Sequence, residues 1–360
     1  MNEEQNGTAA SKVELPENIK PVNGLKDNYL ILDQYGNQHE MVEIPTFLCA
    51  MGNTFHPHPA FIVDGKLRRI FIGKYQASIL DGKYVIQKNG MVAHSINFDN
   101  SNQACNDLNN GSSITGFHLI SNTEWAVLTI ISHQVMNGVR VQGNNRYGKD
   151  FSSKTIMGMH EPYQKEFKDN CFPARWLAGS GGIVTSHNGN ESGIYDLNGN
   201  ILEWVKGLRL NDGEINIIPD NNSAISLIDV SKSSSQWKAI LEDGTLVEPG
   251  TEGALKFDDE GRISKFTKRN WSGHIFKDTI CADDVSPDCA GVELLKKLTI
   301  FPSVTGPHDD YFWFDTNGES IPLRGGYWND GAGAGLRALN LYGGRGGANG
   351  HIGFRVAFVL

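Results

Sequence analysis

Alternation of apolar and polar positions divides the chain into a strand-rich start, a helical middle and a strand-rich remainder. Short apolar or alternating runs at Tyr29 to Leu32, Met41 to Phe47, Phe61 to Val63 and Arg69 to Tyr75 predict strands, separated by turns at Tyr35-Gly36-Asn37 and Asp64-Gly65-Lys66. Ala104, Cys105 and Leu108 fall at helical spacing and predict a helix from about Asn100 to Asn109. A clearer helix begins at Ser121-Asn122-Thr123-Glu124, a capping box in which the Ser hydroxyl and the Glu carboxylate satisfy backbone donors reciprocally. Trp125, Leu128, Ile131 and Val135 continue it as an apolar stripe, which predicts a core-facing helix. The polar stretch from Gly143 to about Gly182 has no periodicity.

Asn198-Gly199 lies between two short apolar runs, Ile194 to Leu197 and Ile201 to Val205, and predicts a hairpin. Glu203 sits beside Trp204 among residues expected to be buried. A buried carboxylate needs a partner, and Arg324 and Arg355 are the candidates. An internal ion pair is the simpler reading of Glu203, because an isolated carboxylate without a base is a poor active site. Residues 206–301 alternate short strands with polar turns and predict a β-rich insertion. Its Asp258-Asp259-Glu260 cluster lacks the alternating ligands of a calcium loop and reads as a solvated turn. His56 and His58 each precede a proline, which predicts an extended exposed loop rather than a metal site.

The segment from Leu323 to Leu360 carries the most information. Of the chain's 41 glycines, 11 fall between Arg324 and Gly353. A glycine-rich run ordinarily predicts a flexible linker. This one ends in Phe354, Val356, Ala357, Phe358, Val359 and Leu360, a buried strand by pattern, so an ordered but irregular surface is expected.

Composition narrows the function. Apolar residues are 39% and charged residues 20%, as in ordinary globular proteins. The net charge of −9 argues against nucleic-acid binding, which requires a basic footprint. No apolar run approaches the roughly 18 residues of a membrane span. The first 27 residues read as a polar leader, disordered or used for attachment, with no apolar core of a secretory signal; synthesis in a bacterial cytoplasm is expected. The five cysteines, Cys49, Cys105, Cys171, Cys281 and Cys289, contain no CxxC and read as buried thiols, although Cys281 and Cys289 are close enough in sequence to pair.

Three blocks in this order resemble the C-type lectin fold, in the branch shared by formylglycine-generating enzymes and the variable proteins of diversity-generating retroelements. They are His118 to Trp125, Tyr195 to Trp204, and the terminal pair Arg324-Gly325-Gly326-Tyr327-Trp328 and Gly353-Phe354-Arg355. The resemblance spans residues 41–205 and 302–360. It implies an α+β class: a C-type lectin-like domain over residues 28–360, interrupted by the 206–301 insertion and ending in a variable region at 323–360. It offers two functions. Formylglycine-generating enzymes use a cysteine pair near the C-terminal half of their site. Here the last cysteine is Cys289, and Cys281 and Cys289 lie in the insertion. The histidine cluster of the related sulfoxide synthases is not evident either. An enzyme is therefore not expected; an oxidase on this fold and a fixed-specificity lectin-like binder are the alternatives.

Retroelement diversification turns template AAY codons into NNY codons, which never encode Lys, Glu, Gln, Met or Trp. From Tyr327 to His351 the chain has no Lys, Glu, Gln or Met, and its only Trp is Trp328 in the scaffold-like block. The resemblance implies exchangeable ligand-binding positions at Tyr327, Asp330, Gly333, Arg337, Tyr342, Gly343, Gly344, Gly346, Gly347, Gly350 and His351, together with Asn329, Asn340 and Asn349 as unmutated remnants or adenine sites that kept their identity. Trp328, Leu336, Leu339, Leu341, Ile352 and Phe354 are expected to point inward. Exchangeable positions on loops over a rigid frame keep folding independent of recognition. The expected partner is a protein or glycan receptor on a target surface, with no nucleic acid, no membrane insertion and no cofactor; a structural calcium is not signalled. The expected location is a phage or prophage tail, from the resemblance of His58 to Lys66 to phage structural proteins, with a bacterial surface as the rival.

Overall fold

The structure is a computed structural model that describes residues 15–51, 54–155, 158–161, 175–303 and 308–360. Cys171 and the first 14 residues of the expected leader lie outside these. Among the described residues the chain is mostly β-sheet with few helices, in keeping with an α+β class.

The first sheet collects both ends of the chain. β1 (Ile19–Pro21), β2 (Asn28–Leu32), β3 (Gln38–Ile44), β4 (Ile70–Gly73), the last strand (Val356–Val359) and Phe117–Leu119 lie side by side in that order, antiparallel throughout. The fold thus starts before Asp27, inside the expected leader, because Ile19 pairs with Ile31 and is buried. Helix α1 (Phe98–Asn106) is capped by Asn97, whose side chain accepts from the Asn100 N–H. Helix α2 (Asn122–Val135) begins with the expected capping box, both of its reciprocal hydrogen bonds being present. Its stripe is buried at Trp125 and Leu128 but reaches solvent at Val135. The Trp125 indole donates to the Leu336 carbonyl at 2.8 Å and ties α2 to the C-terminal segment.

The region around Asn198-Gly199 is not a hairpin. β5 (Leu202–Trp204) pairs with β12 (Leu323–Gly325) and with β14 (Ile352–Phe354), not with the residues before Asn198. The preceding turn is buried and held by side-chain amides. Asn145 donates to Asn198 Oδ1 at 3.0 Å, Asn144 to Asn200 Oδ1 at 3.1 Å, and Asn200 to Gln76 Oε1 at 2.8 Å. These bonds satisfy the polar groups that a hairpin would have left to solvent.

In the expected insertion β6 (Leu208–Asn211), β7 (Glu214–Ile217), β8 (Lys238–Ile240) and Leu246–Val247 form one sheet, which β11 (Glu319–Ser320) joins from outside it. A helix not expected from the sequence, α3 (Ala290–Lys297), packs Val292 and Leu295 into the same core. Asp258 departs from the solvated-turn reading. It is buried and its carboxylate accepts from the Glu260 and Arg262 N–H groups, closing the turn from inside. His58 departs likewise. It is fully buried, accepts from the Ala60 N–H and bonds to the Lys297 carbonyl, so this histidine docks against α3, while His56 lies exposed as expected.

A second sheet frames the C-terminal segment. Its order is β9 (Trp271–Ile275), β10 (Tyr311–Asp315), β13 (Gly335–Leu341), β12, β5 and β14. β9 comes from the insertion, so the insertion supplies the outer edge of the sheet that carries the glycine-rich surface.

Candidate functional site

β10 alternates cleanly between core and surface. Phe312 and Phe314 are buried, while Tyr311, Trp313 and Asp315 face outward. The register places Trp271 opposite Asp315, Gly273 opposite Trp313 and Ile275 opposite Tyr311. On the other side Trp313 pairs with Asn340. Side chains of period two on neighbouring strands share a face, so aromatic rings from β9 and β10 accumulate there, and Tyr342 just past β13 adds another. Gly273 is part of this arrangement: a Cβ there would lie 2.5 Å from the Tyr311 ring. The Tyr311 hydroxyl donates to the Gly273 carbonyl at 2.7 Å and fixes the ring.

The result is an open groove of about 1080 Å³. One wall is Trp271, Gly273, Ile275, Tyr311 and Trp313; the other is Asp330, Gly331, Ala332 and Gly333, and Phe151, Arg146, Asp309 and Tyr342 also line it. Trp271 is 69% exposed, Tyr342 52% and Phe151 46%, which is unusual for such large apolar side chains clustered in one place. Trp271 and Tyr342 stand edge to face with centroids 5.9 Å apart, and Tyr311 and Trp313 lie 4.8 Å apart. Asp330 sits in the opposite wall and accepts from the Tyr327 N–H; burial pushes its pKa up to about 7. The groove can therefore offer stacking surfaces together with one carboxyl that titrates near neutrality.

The expected site residues do not form one cluster. Asp330, Gly333 and Tyr342 line the groove, and Asn340 adjoins it on β13, its Oδ1 accepting from the Tyr342 N–H. Tyr327 stacks on His351 at 4.6 Å and Trp328 packs edge-on against both, with the Arg175 guanidinium over Trp328. Arg175 also donates to the Gly350 carbonyl at 2.7 Å. Asn329 is half-buried beside this group. Gly343, Gly344, Gly346, Gly347 and Asn349 run along the edge near the start of α1, where the Asn349 and Arg345 carbonyls accept from the Ser95 and Phe98 N–H groups. A Cβ added at Gly343 or Gly346 would meet nothing within 4 Å, and at Gly344 or Gly347 nothing closer than 3.5 Å.

Arg337 differs from the rest. It is only 7% exposed, because on β13 it shares the inward face of Leu339 and Leu341. Trp328, Leu336, Leu339, Leu341, Ile352 and Phe354 are all buried, as their pattern predicts. Sequence reasoning missed Trp271, Tyr311, Trp313 and Phe151. The run Tyr311 to Phe314 is aromatic at every position, so its hydrophobicity alone cannot tell the outward rings from the inward ones. Among the described residues no group of three or more His, Cys, Asp or Glu side chains is placed to hold a metal ion, and no helix is long and apolar enough to cross a membrane.

No protein-family model matches the sequence, and neither does any curated protein. Among solved structures, the chain is similar to Treponema denticola variable protein 1, with 12% identity over 92% of this chain and 98% of that one and a TM-score of 0.33. It is also similar to PvdO from Pseudomonas aeruginosa, with 13% identity over 96% of this chain and 100% of that one and a TM-score of 0.34.

Proposed function

We propose that this chain is a non-enzymatic ligand-binding display protein of C-type lectin fold, its C-terminal surface rewritten by mutagenic reverse transcription and carried on a phage tail or bacterial surface. The observation that carries the binding half is the aromatic groove, where Trp271, Tyr342 and Phe151 stand exposed around a volume ample for a saccharide or a peptide segment. The glycines at 343, 344, 346 and 347 support the exchangeable half, because side chains can be added there without collision. The partner in this reading is a protein or glycan receptor on a target surface.

Cysteine oxidation is the second reading, and the thiols favour it less. Burial pushes the Cys281 thiol up to about 11, so little thiolate is present at neutral pH, and the Cys289 sulfur accepts from the Val292 N–H at the start of α3. Neither lines the groove.

The test is a binding screen of the full chain against glycan and surface-protein arrays. A hit that Trp271→Ala and Tyr342→Ala both abolish supports the groove. A hit indifferent to both, or turnover of a cysteine peptide after copper loading, overturns the reading. The diversification half has its own test in the DNA around the gene: a near-copy of the stretch encoding residues 323–360, differing at adenines and beside a reverse-transcriptase gene, is expected.

A further inference from the structure

Behind the groove wall, between α2 and β13, lies a second and smaller cavity of about 30 Å³, lined by Ser132, His133, Arg140, His308, Asp310 and Arg337 among others. Its charges do not balance. Two guanidinium groups face one carboxylate. The nearest approach between them is 3.9 Å, from Arg140 Nε to Asp310 Oδ1, too long for a hydrogen bond. Asp310 instead accepts the Arg337 backbone N–H through Oδ2 at 2.9 Å, and its Oδ1, buried, has no hydrogen-bond partner.

The guanidinium of Arg337 donates through Nη2 to His133 Nδ1 at 2.9 Å, and its Nη1 has no partner although it is fully buried. Arg140 Nε is likewise buried and unpaired. A buried guanidinium nitrogen without an acceptor is unfavourable unless something supplies one. The histidines cannot: burial and the neighbouring arginines hold both His133 and His308 below the ordinary imidazole range, so they stay neutral. With Nδ1 of His133 engaged as an acceptor, its other nitrogen carries a proton and adds a donor.

We propose that this cavity binds one small monovalent anion, a chloride ion or the head of a carboxylate, held by Arg337, Arg140 and His133. The size fits. A water molecule needs about 10–15 Å³ of such space, so the cavity admits one small anion and excludes a nucleotide or a sugar phosphate. The position gives the anion a structural consequence. Arg140 Nη2 donates to the Ala334 carbonyl at 2.5 Å and the Ala332 carbonyl at 3.3 Å, which belong to the segment whose Gly331, Ala332 and Gly333 line the groove. An anion that fixes Arg140 therefore fixes the groove wall from behind. It also accounts for Arg337, whose inward direction suits anion capture rather than contact with a receptor.

The experiment replaces sodium gluconate, too bulky for the cavity, with sodium chloride or sodium acetate at constant ionic strength and follows the melting temperature of the full chain. A saturable rise of roughly 2–4 °C is expected with either small anion, and Arg337→Gln should remove it. If that variant does not fold, chloride-35 NMR of the wild-type chain decides: line broadening that acetate reverses supports the site. A wild-type melting temperature indifferent to both anions, an equal rise in Arg337→Gln, or absence of broadening overturns it. None of these readouts depends on what the groove binds.

Discussion

Glu203 and Arg355 form a two-pronged ion pair in the centre of the molecule, both side chains fully buried, with Arg355 Nε 2.8 Å from Oε2 and Nη2 2.8 Å from Oε1. The remaining donors of Arg355 reach the Gly73 and Tyr195 carbonyls, and Gln76 donates to Glu203. The pair thereby joins the first sheet, the second sheet and the buried turn. Arg355→Ala would leave Glu203 charged and unpaired in the core and is expected to cost about 3–5 kcal/mol. Urea denaturation checks this; a loss below about 1 kcal/mol, typical of a surface ion pair, would contradict the picture.

That pair was half legible in the sequence. A carboxylate beside Trp204 demands a cation, and two arginines were available. Only the structure separates them. Arg355 takes the carboxylate, whereas Arg324, though its strand pairs with that of Glu203, turns its guanidinium to Asn122 Oδ1 and the Thr299 carbonyl. The capping box of α2 was fully legible because it is a local rule. The groove was not, because its rings come from residues 151, 271, 311, 313 and 342 and meet only through long-range strand pairing. Arg337, expected among the exchangeable positions, is turned inward by alternation along Gly335–Leu341, which its place in a glycine-rich run does not reveal.

The glycines of the last segment should divide into two kinds. Gly326 has φ of 73°, and a Cβ there would come within 2.6 Å of the Ala334 backbone; at Gly353 it would come within 2.2 Å of the Ala93 carbonyl. Gly343 and Gly346 have open space around them. Gly326→Ala and Gly353→Ala are expected to lower stability by about 1–3 kcal/mol through strain and overpacking. Gly343→Tyr and Gly346→Arg should stay within about 0.5 kcal/mol of wild type. Melting temperatures of the four variants test the division, and destabilisation by the latter pair would mean the edge loop belongs to the frame.

Trp271 and Tyr342 should matter to binding and little to folding. Both are largely exposed and stand edge to face in the lining of the groove. Replacing either with Ala is expected to leave stability within about 0.5 kcal/mol and to weaken a groove ligand about tenfold, or about 1.4 kcal/mol. Phe314→Ala, one residue from Trp313 but on the buried face, should do the reverse and cost about 3–5 kcal/mol of stability. Paired denaturation and affinity measurements separate the two faces of the strand.

Two buried histidines make a definite pH prediction. His58 is fully buried and His187 nearly so, and each accepts a backbone N–H at Nδ1, from Ala60 and Ile194, which requires an unprotonated nitrogen. Burial holds both at about 4 in the folded chain, with Arg355 adding to the effect at His187. Their ordinary value is near 6.5, so between pH 6.5 and 4 the unfolded chain binds protons that the folded chain refuses, and stability falls as pH falls. The loss between pH 7 and pH 5 should be about 2 kcal/mol per histidine. Asp196, Asp310 and Asp330 are raised to about 6, 6 and 7 and pull in the opposite direction, so the whole-protein profile mixes both signs. The clean measurement is a difference. His187→Asn keeps an acceptor for the Ile194 N–H but does not titrate, so its stability relative to wild type should improve by about 2 kcal/mol on going from pH 7 to pH 5. A gap between variant and wild type that does not change with pH would mean that His187 takes up its proton without leaving the core.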